Sequence, residues 1–125
     1  MAGTIKMNWF KFAKDFRERN VINDKIRYLN YVRKNLGYIS KLIFQSGKNA
    51  KATNYKIISS SKISSYPILH DILIEADTLA LDNPWKFQAL CAEAIVNIDN
   101  LVYSLKKDRK QITYGNKEKQ RKGWF

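Results

Sequence analysis

With 125 residues and a formal net charge of +12, the chain is long enough for one buried core and basic enough to seek a polyanion. A hydrophobic content of 45% fits a folded domain, and only five Gly and two Pro favour helices over a turn-rich β architecture. No run of about 18 apolar residues occurs, so no membrane-spanning helix is expected. The N-terminus also lacks the apolar core of a secretory signal. The lone Cys91 rules out a disulfide scaffold within one chain, and a reducing, intracellular (cytoplasmic) setting is expected.

Met1 to Met7 carries no periodic pattern. Asn8 is placed to cap a short helix, about 8–19, with Trp9, Phe12, Ala13 and Phe16 on one face. That face reads either as a first bundle helix covering the core or as an amphipathic surface-docking helix. Asn20 to Asp24 then supplies break and cap residues. Ile22, Ile26, Leu29, Val32, Leu36, Ile39 and Ile43 follow at steps of three and four. This is the longest regular pattern in the chain, and it predicts a helix over about 23–45. Gly37 inside it either weakens the helix or marks a close crossing. Arg27, Arg33, Lys34 and Lys41 flank the stripe, with Tyr28, Tyr31 and Tyr38 nearby. Tyrosines among cations suit a single strand, because rings stack on bases while cations hold phosphates. The plainer reading has the same tyrosines bordering the core with their hydroxyls in water.

Ser46-Gly47 ends that helix. Residues 46–66 contain four Lys, six Ser, two Asn and no acid, and read as a basic linker. Lys48 and Lys51 are its first cations, and the stretch either orders on a phosphate backbone or stays a solvated connection. The stretch around Tyr55, Ile57 and Ile58 fits a short extended or helical piece equally well.

Pro67 opens the next helix, about 66–82, where its missing N–H costs nothing. Leu69, Ile72, Leu73, Ala76, Leu79 and Ala80 trace its apolar face, with Asp71, Glu75, Thr78 and Asp82 opposite. Asn83 and Pro84 cap and start a fourth helix, about 84–110. Its stripe is Phe87, Leu90, Cys91, Ala94, Ile95, Ile98, Leu101, Val102 and Leu105. The joint is too short for anything but a tight turn, so these two helices pack as neighbours. The basic tail carries Lys106, Lys107, Arg109 and Lys110, with a break at Gly115-Asn116 and an aromatic end at Trp124-Phe125. Residues 1–110 are therefore expected to form the helical domain and 111–125 a mobile basic tail.

The charge is unevenly placed. Residues 67–105 carry one basic and six acidic groups, whereas 46–66 carry four basic and none acidic. The acidic hairpin either pairs with basic groups inside the bundle or keeps one side of the molecule free for a protein partner.

Catalytic signatures are absent: there is no Walker-type loop and no Gly-rich dinucleotide fingerprint. One His and one Cys cannot make a four-ligand zinc site. A Cys91–His70 nucleophilic pair and an Asp71, Glu75, Asp82 metal site are the weak alternatives, each opposed by the assigned helix faces. The sequence thus implies an all-α four-helix bundle with a basic linker between helices 2 and 3 and a basic C-terminal tail. It implies no enzyme activity and no cofactor. The expected role is accessory: binding RNA or DNA, with RNA or single-stranded DNA favoured, mainly through phosphate contacts from Arg27, Tyr28, Tyr31, Arg33, Lys34, Lys41, Lys48, Lys51, Lys106, Lys107, Arg109 and Lys110. The alternative is an adaptor or inhibitor whose basic face docks on an acidic partner. A protein partner such as a nucleic-acid enzyme and a homo-oligomer built on uncovered aromatics are also expected. In size, charge and fold class the chain is similar to small basic helical proteins that assist nucleic-acid enzymes, such as accessory subunits of reverse transcriptases and small subunits of RNA-guided complexes. No motif carries that likeness to individual residues.

Overall fold

An apolar residue every three or four positions buries itself only if the chain coils at about 3.6 residues per turn, and the stripes are long enough to enforce this throughout. In the computed structural model, the backbone of residues 2–124 and the side chains of residues 11–112 are described. Among them are four α-helices, α1 (Ala2–Leu42), α2 (Gly47–Ile58), α3 (Pro67–Leu79) and α4 (Pro84–Trp124), a single 3-10 turn at Ser61–Ser65, and no strand. The fold is an all-α bundle, as the periodicity implies.

The chain divides into two compact units, residues 29–101 and residues 1–28 with 102–125. The first holds a dense core. Leu29, Val32, Leu36 and Ile39 enter it from α1, Ile43 from the turn that follows, and Phe87, Leu90, Cys91, Ala94 and Ile98 from α4. Leu69, Leu73, Ala76 and Ala80 come from α3 and its end. Each such Leu, Ile or Phe contributes on the order of 1.5–3 kcal/mol on burial. Asn83 caps α4 as expected: its Oδ1 accepts from the Lys86 N–H at 3.1 Å. In the second unit the described buried residues are Ile22, Ile26 and Val102.

Three expectations need correction. The break at Asn20–Asp24 does not occur, and the first two expected helices are the single α1. No Gly or Pro interrupts that stretch, Ile22 and Ile26 are buried, and the polar side chains find partners other than their own backbone. Asn23 accepts from Arg109 at 2.7 Å, and Asp24 from Arg27 at 3.2 Å. Secondly, the face of Phe12 and Phe16 covers no core. They are 64% and 55% exposed and stack on each other at 6.4 Å. Trp9 lies outside the described side chains.

The third correction concerns residues 46–66, which are mostly helical. Ala50, Asn54 and Ile57, spaced by four and three, are buried, and α2 lies against α3. Asn54 is fully buried and donates its Nδ2 to the Leu73 carbonyl at 2.9 Å, tying the two helices. Ile63 then buries from the 3-10 turn, whose Ser60 cap accepts from the Lys62 N–H. Gly47 sits where α2 starts against the end of α3. A Cβ there would come within 3.3 Å of Leu81 Cδ2, so the close approach uses the missing side chain. No such crossing exists at Gly37, where an added Cβ would meet nothing within 4 Å. The backbone of α4 runs past its expected end at about 110 and past the expected break at Gly115-Asn116 to Trp124. The expectations for side chains beyond Ile112, including Trp124 and Phe125, lie outside the described ones.

Candidate nucleic-acid interface

The α1 stripe that builds the core also determines what faces water. Successive residues turn by about 100° around a helix. From Leu29, Val32, Leu36 and Ile39 on the buried side, that rotation carries Tyr31, Lys34, Tyr38 and Lys41 to the opposite side. All four are exposed, the tyrosines by 62% and 61%. Ring, cation, ring and cation thus alternate along three turns of one rigid face. Tyr31 and Tyr38 are two turns apart, about 10.5 Å along the axis. Tyr28 falls nearer the buried side and is half-buried. Tyr28 thus borders the core, although with its hydroxyl buried rather than in water, and Tyr31 and Tyr38 do not border it.

α2 repeats the theme on a smaller scale over just more than two turns. Lys48 and Tyr55 are exposed on the side away from Ala50, Asn54 and Ile57, and half-buried Lys51 lies one turn before Tyr55. The outer face of α3 has the opposite sign, with Asp71, Glu75 and the following Asp82 all exposed. Helices sharing one core turn their outer faces in different directions, so this unit is basic-aromatic on α1 and acidic on α3.

Within this unit α1 and α4 run antiparallel, and three contacts join them. Arg33 grips Asp99, with Nε to Oδ1 at 2.8 Å and a second guanidinium nitrogen to Oδ2 at 3.4 Å. Gln88 donates to the Ser40 carbonyl at 3.0 Å, and the rings of Phe44 and Trp85 lie 4.7 Å apart, tilted by 58°. The hydrogen bond and charge of Asp99 hold the Arg33 guanidinium above its ordinary pKa. Arg33 is thus a half-exposed clamp between helices rather than an open phosphate contact. No sequence signal pairs residues 66 positions apart.

The remaining sequence-assigned residues, Arg27, Lys106, Lys107, Arg109 and Lys110, belong with Tyr28 to the other unit. Arg27 pairs with Asp24 on its own helix, both well exposed. Arg109 is half-buried, with its guanidinium committed to Asn23. Lys106, Lys107 and Lys110 are exposed. The twelve residues thus fall into two sets of six, and the described contacts use Arg33 and Arg109 to join helices, while Arg27 makes only an exposed pair on its own helix.

Cys91 is fully buried, and burial pushes its thiol up to about 12, so it is a core side chain rather than a nucleophile. Among the described residues, no three His, Cys, Asp or Glu side chains gather as a metal site would require. Nor is any helix among them long and apolar enough to cross a membrane. Comparison of the chain with protein-family models, curated proteins and solved structures finds no match.

Proposed function

We propose that the protein is a non-enzymatic nucleic-acid-binding subunit that takes single-stranded RNA or DNA on the outer face of α1, as an accessory to a ribonucleoprotein or nucleic-acid enzyme. The observation that carries this reading is the alternation of Tyr31, Lys34, Tyr38 and Lys41 on the side of α1 opposite the core. Stacking tolerates any base and lysines follow the phosphates, so binding has little sequence preference. The +12 charge supplies the long-range attraction, and in the other unit exposed Lys106, Lys107 and Lys110 offer phosphate contacts of their own.

The acidic face of α3 supports the accessory part of the reading. Asp71 and Glu75 repel a phosphate backbone and leave that side to a protein partner.

Salt titration tests the proposal. Affinity for a single-stranded oligonucleotide should fall linearly with salt on logarithmic axes, because each neutralised phosphate releases condensed counterions. Replacing Lys106, Lys107 and Lys110 with Gln should flatten that slope by up to about two, at roughly 0.7 per phosphate contact, without changing the circular dichroism. Absence of binding to both RNA and DNA at low salt would end the proposal and assign the basic surface to an acidic protein.

A further inference from the structure

Trp85 is the most exposed described ring of the 29–101 unit, at 72%. It stands at the second position of α4, and that helix end is held rigidly. Pro84 sets the first helical dihedral, Asn83 caps the N–H of Lys86, and Phe87 is fully buried two residues on. One side of the indole meets Phe44 at 4.7 Å, and the remainder faces water. An indole buries roughly 150–250 Å² when it packs, and here most of that surface goes unused by the fold.

The surroundings say what suits it. Phe44 and Trp85 are the last of the three α1–α4 contacts, after Arg33 with Asp99 and Ser40 with Gln88. Phe44 is in the turn just past the end of α1, so this pair lies beyond Lys41 along the helix axis, on the flank of α1 that meets α4. Lys41 is one turn before Phe44, and Lys86 follows Trp85. Both are exposed, and neither is in an ion pair among the described residues. Asp82, in the turn before α4, is the acid nearest in sequence. A flat ring flanked by cations, at the end of a tyrosine and lysine track, complements a base joined to phosphates.

We infer that Trp85, braced by Phe44, is the terminal stacking platform of the interface and receives one unpaired base of a strand lying along α1. The inference rests on the single-strand reading above and adds to it a second helix and a defined end. Because the ring is already immobilised, stacking a base on it costs little side-chain freedom. A duplex offers no unpaired base to this ring, so Trp85 discriminates single strands from duplexes.

The experiment follows the emission of Trp85 alone, in full-length protein carrying Trp9→Phe and Trp124→Phe. Single-stranded oligonucleotides of about 12 nucleotides fall within known site sizes of ~4–16. They should quench the emission at saturation, while a duplex of equal length should leave it nearly unchanged. In the native-tryptophan background, Trp85→Ala should weaken single-strand binding about tenfold or more and duplex binding hardly at all. Trp85→Phe should recover part of the loss. The exposed position keeps these variants folded, which an unchanged melting temperature verifies. Salt-dependent binding with unmoved emission and full affinity in Trp85→Ala would overturn the platform and leave the α1 reading standing. Absence of any oligonucleotide binding would overturn both. A blue shift on anionic phospholipid vesicles, with none of these responses to oligonucleotides, would also overturn it and assign the ring to a lipid surface.

Discussion

The two units of the chain divide charge and packing between them. Residues 1–28 and 102–125 together hold 15 basic and 5 acidic groups, a net +10, whereas residues 29–101 hold 8 and 6, a net +2. Burial runs the other way. Among the described residues, every core side chain below 2% exposed belongs to the 29–101 unit, from Leu29 and Leu36 to Phe87 and Ile98. The described burial in the other unit is limited to Ile22, Ile26 and Val102, none below 7%. Net charge and shaped recognition are therefore different properties here. A strong positive field needs no packed core, and it attracts any polyanion. A row of rings alternating with lysines needs a helix whose rotation is set by burial, and among the described residues the outer face of α1 in the 29–101 unit carries one.

Charge substitutions in the two cores are the severest test of that contrast. Leu73→Asp places an unpaired carboxylate in a fully buried site of the 29–101 unit and should abolish the cooperative melt. Ile22→Asp, at a site 9% exposed, should cost much less, because the carboxylate reaches water with a small rotation. Thermal melts followed by circular dichroism measure both. Similar losses at the two positions would mean that the units are equally packed.

A smaller effect probes the dense core by pH. Burial holds the Cys91 thiol at about 12 against an ordinary value of 9.0, so the folded protein keeps a proton that the unfolded chain gives up. The resulting stability is complete below about pH 9 and is lost as pH rises towards 12. Other groups titrate there too, so the measurement is the difference between the native chain and Cys91→Ala. That difference should shrink by about 1.4 kcal/mol per pH unit above 9. Below pH 9 the thiol should react with an aromatic disulfide reagent only as fast as the core opens. Rapid labelling under native conditions would contradict the burial.

Much of this was readable beforehand, and the exceptions have physical causes. All seven residues of the α1 stripe from Ile22 to Ile43 are buried, because period and length leave a helix no other use for them. The hairpin of α3 and α4 is equally legible from two prolines at helix starts and the Asn83 cap. α2 is not, since two of its buried positions are Ala50 and Asn54, which hydropathy does not mark as core. Phe12 and Phe16 mislead in the opposite sense: they are spaced as a buried stripe and lie exposed. Within the interface, the outward direction of Tyr31 and Tyr38 follows by rotation from the same stripe that buries Leu36. The commitment of Arg33 and Arg109 to Asp99 and Asn23 does not follow, because it depends on helices far apart in sequence. Trp85 left one signal, a large ring on the side of α4 opposite Phe87, Leu90 and Cys91.

Whether the outer face of α1 reads unpaired bases is decided by the variant Tyr31→Ala/Tyr38→Ala. Affinities for a single strand and for a duplex, measured at the same salt and set beside the melting temperature, make up the measurement. Single-strand binding should weaken by about 1–3 kcal/mol per lost stacking ring, with duplex binding and the melting temperature unchanged. A fall in melting temperature with single-strand affinity intact would contradict this and return both tyrosines to a structural role.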